Sequence, residues 1–285
     1  MDRLELKTEQ LATQRSGRLQ APSSLPSALR QHWPEYLMEA AELGLFMLVA
    51  CVLAAVIDYA DSPVRNMIAN DFARRALFGL CMGLTAMAIV YSPMGKQSGA
   101  HFNPAVTFTF FRLGKIARWD AVFYMLAQFT GGVLGVMLAA MVLGDIIAAP
   151  SVNYVATVPG QAGVLVAFAA ETAITFILMT VVLNVSNTER LAQYTGLFAG
   201  ALVAIFITFE APLSGMSMNP ARTLASALPG QIWNALWVYF IAPVLGMQFA
   251  ASLYLHRNDK NRVACAKLHH QNQKRCIFCA YHNLP

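Results

Sequence analysis

Two apolar segments that are too short to cross a membrane constrain this chain more than its long ones do. Residues 101–111 and 216–228 fall well below the ~20 residues that span a ~30 Å hydrocarbon layer as a helix. Each holds the tripeptide Asn-Pro-Ala, at 103–105 and again at 219–221. Each follows a small-residue turn, Ser98-Gly99-Ala100 or Ser214-Gly215. Proline suits the first position of a helix, where its missing N–H costs nothing, and asparagine suits the cap before it. Asn103-Pro104 and Asn219-Pro220 therefore each predict the start of a short helix. At membrane depth such a start is tolerated only if buried in protein or facing a water-filled path.

The surroundings place these starts in a membrane. Longer apolar runs cover residues 36–57, 76–91, 121–143, 164–185, 194–209 and 232–255. They lack the two-residue alternation of barrel strands, so helices are expected. Apolar residues make up 57% of the chain and charged ones 12%, with a mean hydropathy of +0.49. A soluble globule of this size could not hide so much apolar surface. That excludes an ordinary soluble enzyme, a disordered protein and a nucleic-acid module.

The order of runs is span, span, short segment, span, given twice. The halves lie at about 36–144 and 162–255. Three spans per half is an odd number, so the halves take opposite orientations in the bilayer. Glu42 and Glu171, one in the first span of each half, extend the repeat and read as structural buried acids; a proton-relay role is the alternative. Gly79 and Gly83 in the second span match Gly196 and Gly200 in the fifth, a spacing that lets helices approach closely.

The net charge of +5 is explained by topology rather than by nucleic acid. Lys and Arg concentrate in the N-terminal stretch, the region from Lys96 to Arg118, Arg190 and the C-terminal stretch. All of these fall on one side, and the loop at 144–163 has none. The positive-inside rule puts both termini in the cytoplasm. Residues 1–34 carry no secretory signal and are expected to be a disordered tail, 35–255 a channel domain, and 256–285 a basic cytoplasmic tail.

Inverted symmetry brings the two helix starts end to end near the midplane, each with a partial positive charge of roughly half an electron. Such a spot admits a neutral oxygen-bearing molecule and repels cations. The stretch from Ser98 to Thr107 resembles the first signature loop of an aquaporin, and Gly215 to Arg222 resembles the second. The likeness runs over about 36–255, including Glu42, Glu171 and the Ala127-Gln128 pair. It implies an all-α membrane protein with six transmembrane helices and two re-entrant half-helices in a right-handed bundle. It also implies one pore per chain, a homotetramer and passive conduction of water. Pro104, Ala105, Pro220 and Ala221 would share the pore midplane with the two asparagines.

The resemblance places a selectivity filter at Met82, Ile207, Met216 and Arg222. Arg222 would donate to the solute and repel cations; a structural arginine held by loop carbonyls is the alternative. The set departs from strict water channels, which often hold an aromatic, a histidine and a small or polar residue there. Thr223 and Tyr239-Phe240 depart from glycerol-type members, which usually have Asp and Pro-Leu. Water conduction is expected, with a glycerol-type small-solute facilitator and a closed-pore structural protein as alternatives. His101 fits either a lining of the cytoplasmic mouth or simple packing.

A secondary transporter would need paired intramembrane acids facing the two asparagines, and none is seen. No nucleophile–base set suggests an enzyme. The membrane is expected to be a plasma or bacterial inner membrane. In the tail, Cys265, Cys276, Cys279 and His282 have spacings compatible with a zinc site, the only cofactor the sequence suggests; a disordered tail with reduced thiols is the alternative.

Overall fold

The structure, a computed structural model, describes residues 24–258 and 263–279, and all regular structure among them is helical. Among the described residues, six helices are long and apolar enough to span a membrane. The first half comprises α1 (Leu25–Asp58), α2 (Asp71–Tyr91), the half-helix α3 (Pro104–Arg112) and α4 (Arg118–Leu143). The second comprises α5 (Val164–Ser186), α6 (Thr195–Phe209), the half-helix α7 (Pro220–Gly230) and α8 (Leu236–Arg257). The face carrying Leu25 and Arg257 is called the near face below, and the opposite one the far face.

The first helix corrects the expected disordered stretch up to residue 34. Residues 25–34 are helical, started by Ser24, which caps the N–H of Ser27 in a capping box, with Pro26 in the first turn. Their anchor lies far away in sequence. Asp120 of α4 accepts from the Tyr36 hydroxyl at 2.6 Å and faces His32 Nδ1 at 2.8 Å. Hydropathy does not reveal a helix end secured by a buried polar cluster. Residues 1–23 of the expected tail lie outside the described residues.

Helix pairs pack in the same way in both halves, α1 on α4 and α5 on α8, while α2 and α6 cross between the halves. In hydrocarbon, apolar side chains gain little from leaving lipid, so close backbone approach drives association. Gly83 illustrates this: a Cβ there would lie 2.5 Å from the Gly200 carbonyl oxygen. Gly131 on α4 has the same role against Ala40 of α1, where a Cβ would lie 2.0 Å from the carbonyl oxygen. The outer surface is apolar, with Leu80, Leu126, Leu165, Phe209 and Phe249 exposed. Polar groups turn inward, where the two half-helices meet.

Candidate pore and its supports

Asn103 and Asn219 cap the half-helices as their neighbours dictate. The side-chain oxygen of Asn103 accepts from the Ala105 N–H at 2.9 Å. That of Asn219 accepts from Ala221 at 3.0 Å and Arg222 at 3.2 Å. Pro104 and Pro220 take the first helical positions. The side-chain amides then cross the midplane. Asn103 Nδ2 donates to the Met218 carbonyl at 2.8 Å, and Asn219 Nδ2 donates to the Phe102 carbonyl at 2.7 Å. Each asparagine thus holds the residue preceding its counterpart, and the two half-helices start in direct contact.

The approach to each cap is matched too. Ala100 and Phe102 have φ of 55° and 30°, and Met216 and Met218 have φ of 52° and 57°. Non-glycine residues in this region are uncommon and are held there by their surroundings. Two serines and two tyrosines do part of that work. Ser98 Oγ accepts from the Ala100 N–H, and Ser214 Oγ from the Met216 N–H, both at 3.0 Å. Tyr124 and Tyr239 donate to the carbonyls of Ser98 and Ser214 at 2.7 and 2.6 Å. The tyrosine pair is part of the inverted repeat; the sequence singled out Tyr239 only as a departure from glycerol-type members and passed over Tyr124, because a tyrosine in a span carries no motif around it.

Buried carboxylates complete the support. Glu171 alone accepts from the Ser217 N–H at 2.6 Å, the Met218 N–H at 2.8 Å and the Ser214 hydroxyl at 2.9 Å. In the first half these tasks are divided. Glu42 accepts from the Ser98 hydroxyl at 2.7 Å. Glu39, one turn earlier, takes the His101 and Phe102 N–H groups at 2.9 and 2.7 Å and is joined by Gln128 Nε2 at 2.7 Å. Both glutamates of the repeat thus hold their loops, and Glu39 is a further support that the repeat pattern did not single out.

A continuous cavity of about 520 Å³ runs past this midplane. Met82, Ile207, Met216 and Arg222 all line it, together with Asn103 and Asn219. Toward the far face it reaches Arg65 and Arg74, which are held by Asp58. Arg222 Nη1 donates to the Val155 carbonyl at 2.7 Å, so the arginine is both held by a loop carbonyl and cavity-lining. That carbonyl belongs to a run of three left-handed residues, Asn153, Tyr154 and Val155, with φ of 45°, 52° and 48°. A β-branched residue there is an outlier. The turn signals of this loop, Pro150-Ser151 and Pro159-Gly160, lie to either side of the run, and nothing in Tyr154-Val155 itself marks it.

Toward the near face the cavity is lined by Val90, His101 and Leu268. His101 combines both expected roles: it lines the cavity and is buried, with Nδ1 3.1 Å from Thr107 Oγ1 and Nε2 2.7 Å from the Ala266 carbonyl. Leu268 and Ala266 belong to the C-terminal segment 263–279, which lies against this mouth. In that segment Cys265, Cys276 and Cys279 come together with His270. His282, expected as the fourth member, lies outside the described residues. Lys267 is buried beside the cluster and donates to the carbonyls of Lys96 at 2.7 Å and Arg275 at 2.6 Å. Burial lowers its pKa, opposed by the nearby thiol groups of Cys276 and Cys265.

Six spans, two half-helices meeting cap to cap and a cavity threading between them define a polytopic membrane protein of the re-entrant-loop pore class. The profile described as Major intrinsic protein matches residues 29–254, and the chain belongs to that family. Aquaporin NIP2-3 of Zea mays is 33% identical over 79% of this chain and 73% of its own length. Aquaporin NIP1-2 of Arabidopsis thaliana is 35% identical over 60% of this chain, which spans 59% of that relative's length. The aquaglyceroporin structure from Plasmodium falciparum superposes with a TM-score of 0.63, covering 79% of this chain and 96% of that one at 20% identity. It shares the fold.

Proposed function

We propose that the chain is a passive channel that conducts water and other small neutral solutes and excludes protons and cations. The observation that carries this reading is the crossed pair of asparagine–carbonyl bonds at the centre of a continuous cavity. They fix two half-helix N-termini, each with roughly half a positive charge, facing one another where water is scarce. An amide NH₂ has two hydrogens, and the crossed bond uses one. The other remains for a passing oxygen. A cation meets two positive ends and the Arg222 guanidinium, whereas a neutral molecule meets donors among apolar walls.

Met82, Ile207, Met216 and Arg222 act as the selectivity filter in this reading. Three are apolar and two are flexible thioethers, which favours as a second reading a facilitator of glycerol-sized solutes. Thr223 supports the water reading: it is tied to Thr157 at 2.8 Å and Ser217 at 2.5 Å and so offers no carboxylate beside Arg222. Family membership speaks for a channel rather than an enzyme. The near face is cytoplasmic by the placement of Lys and Arg, and the membrane is a plasma or bacterial inner membrane. The apolar outer surface suits lipid and a homotetramer with one pore per chain.

Osmotic shrinkage of proteoliposomes tests this. Fast shrinkage with a low activation energy, independent of ion gradients, is expected. Shrinkage no faster than in empty vesicles overturns the channel. Swelling in glycerol compared with sucrose separates the two readings: entry of glycerol at a rate comparable with water selects the facilitator.

A further inference from the structure

The near-face segment 263–279 has no helix or strand before Cys279, yet it buries Val263, Ala266, Ile277 and Phe278. So small an irregular unit ordinarily needs a staple. Its centre holds Cys265, His270, Cys276 and Cys279, whose ligand atoms all lie within 4.8 Å of one another. The three sulfurs are 3.5, 3.8 and 3.3 Å apart, and His270 Nε2 is 2.8 Å from Cys279 Sγ. A tetrahedral zinc site with bonds of about 2.3 Å to sulfur separates its sulfurs by about 3.8 Å. The cluster therefore needs only small adjustments to close around an ion. The Lys267 N–H lies 3.5 Å from Cys265 Sγ, a hydrogen bond of the kind that supports a metal-bound thiolate.

Pairing as a disulfide satisfies this arrangement less well, since three sulfurs and an imidazole converge on one point. In the cytoplasmic orientation proposed above, thiols stay reduced. We propose that Cys265, His270, Cys276 and Cys279 bind one zinc-class ion, and that the ion fastens the segment as a stopper over the near-face mouth of the pore. On binding, the three thiols release their protons and the imidazole gives its lone pair, leaving the complex with a single negative charge. Lys267, Lys274 and Arg275 lie close enough in sequence to balance it.

The stopper is built from contacts on both sides of the mouth. Leu268 lines the cavity and donates its N–H to the Gly99 carbonyl at 3.1 Å. Phe278 stacks on His101 at 5.7 Å, and the Ala266 carbonyl meets the same imidazole. Arg275 donates to the Gln31 carbonyl at 2.8 Å, and Ala264 to Asn187 Oδ1 at 2.6 Å. Leu268 lies between Cys265 and His270 in the chain, and Phe278 between Cys276 and Cys279, so the ion fixes both at once.

The test uses the full-length chain purified without chelator and titrated with zinc. About one zinc per chain is expected by elemental analysis, falling to about a tenth in the Cys276→Ser/Cys279→Ser variant. Cobalt in place of zinc should give tetrahedral thiolate absorption, lost in the same variant. His270→Gln should weaken binding, whereas His282→Gln should leave it unchanged; the reverse overturns the ligand set. Equal zinc in the wild type and the double variant, or a disulfide found by mass with no zinc, overturns the site. In proteoliposomes a membrane-permeant chelator should raise osmotic permeability about fivefold in the wild type and leave the double variant unchanged at its higher rate. Chelation that removes the zinc without changing permeability overturns the stopper. If neither form conducts, the channel reading and the stopper fall together, while the zinc stoichiometry still decides the site.

Discussion

The two loops that meet at the midplane have matching backbones but differ in what holds them. In the second, Glu171 alone takes two backbone N–H groups and a serine hydroxyl. In the first, Glu39 and Glu42 share the task and Gln128 joins them. The position two before the asparagine differs as well. Ser217 is small and bonds Thr223, while His101 bonds the equivalent Thr107 and reaches on to Ala266. One loop thus faces an open vestibule carrying Arg222, and the other faces a mouth covered by the C-terminal segment. The symmetry therefore belongs to the midplane, and the two ends are free to specialise.

The largest expected effect comes from removing the single support. Glu171→Ala should destabilise the chain by about 3–5 kcal/mol, since it leaves two buried N–H groups unpaired. Glu39→Ala also strands two N–H groups, those of His101 and Phe102, but should cost somewhat less, about 2–4 kcal/mol, because Glu42 still holds the Ser98 hydroxyl whereas Glu171→Ala loses that of Ser214 as well. Denaturation in mixed detergent micelles compares them, and equal losses would erase the distinction between shared and single support. Next, Arg222→Val should raise proton or cation leak about tenfold in proteoliposomes while water flux persists. Unchanged exclusion would assign the barrier to the half-helix ends alone.

A smaller effect is expected from His101→Ser, which gives the first loop the side chain of the second. Osmotic permeability should rise about twofold as the segment loses its hold on the imidazole. No change would mean that Leu268 and Gly99 hold the segment unaided. The smallest belongs to Glu42→Gln, which keeps an acceptor for the Ser98 hydroxyl and should cost under about 1 kcal/mol. A loss as large as that of Glu39→Ala would show that the charge itself is required.

Much of this was legible in the sequence because it rests on local rules. Proline after asparagine fixes where α3 and α7 begin, and apolar runs fix the spans to within a turn at most ends. The spacing of Gly79-Gly83 and Gly196-Gly200 marked both helices for close approach, while the meeting of Gly83 with Gly200 came from the fold. What escaped depends on partners far along the chain. The start of α1 at Leu25 is secured by Asp120. Glu39 looks like any polar residue near a helix end until the His101 N–H is seen facing it. Val155 takes a backbone conformation that β-branched residues avoid, so propensity pointed away from it. In the C-terminal segment the cysteines were readable, but the choice of His270 over His282 required the fold of the segment.

The crossed asparagine bonds also bear on how the protein is made. Met218 lies 115 residues after Asn103, and the bond between them spans both halves. A chain emerging from the ribosome inserts its first re-entrant loop long before the carbonyl that receives its amide exists. That loop must wait in the membrane with its central donor unmatched, held by Glu39, Glu42 and Gln128. The doubled support in the first half therefore suits the half that is synthesised first and must stand alone for a time.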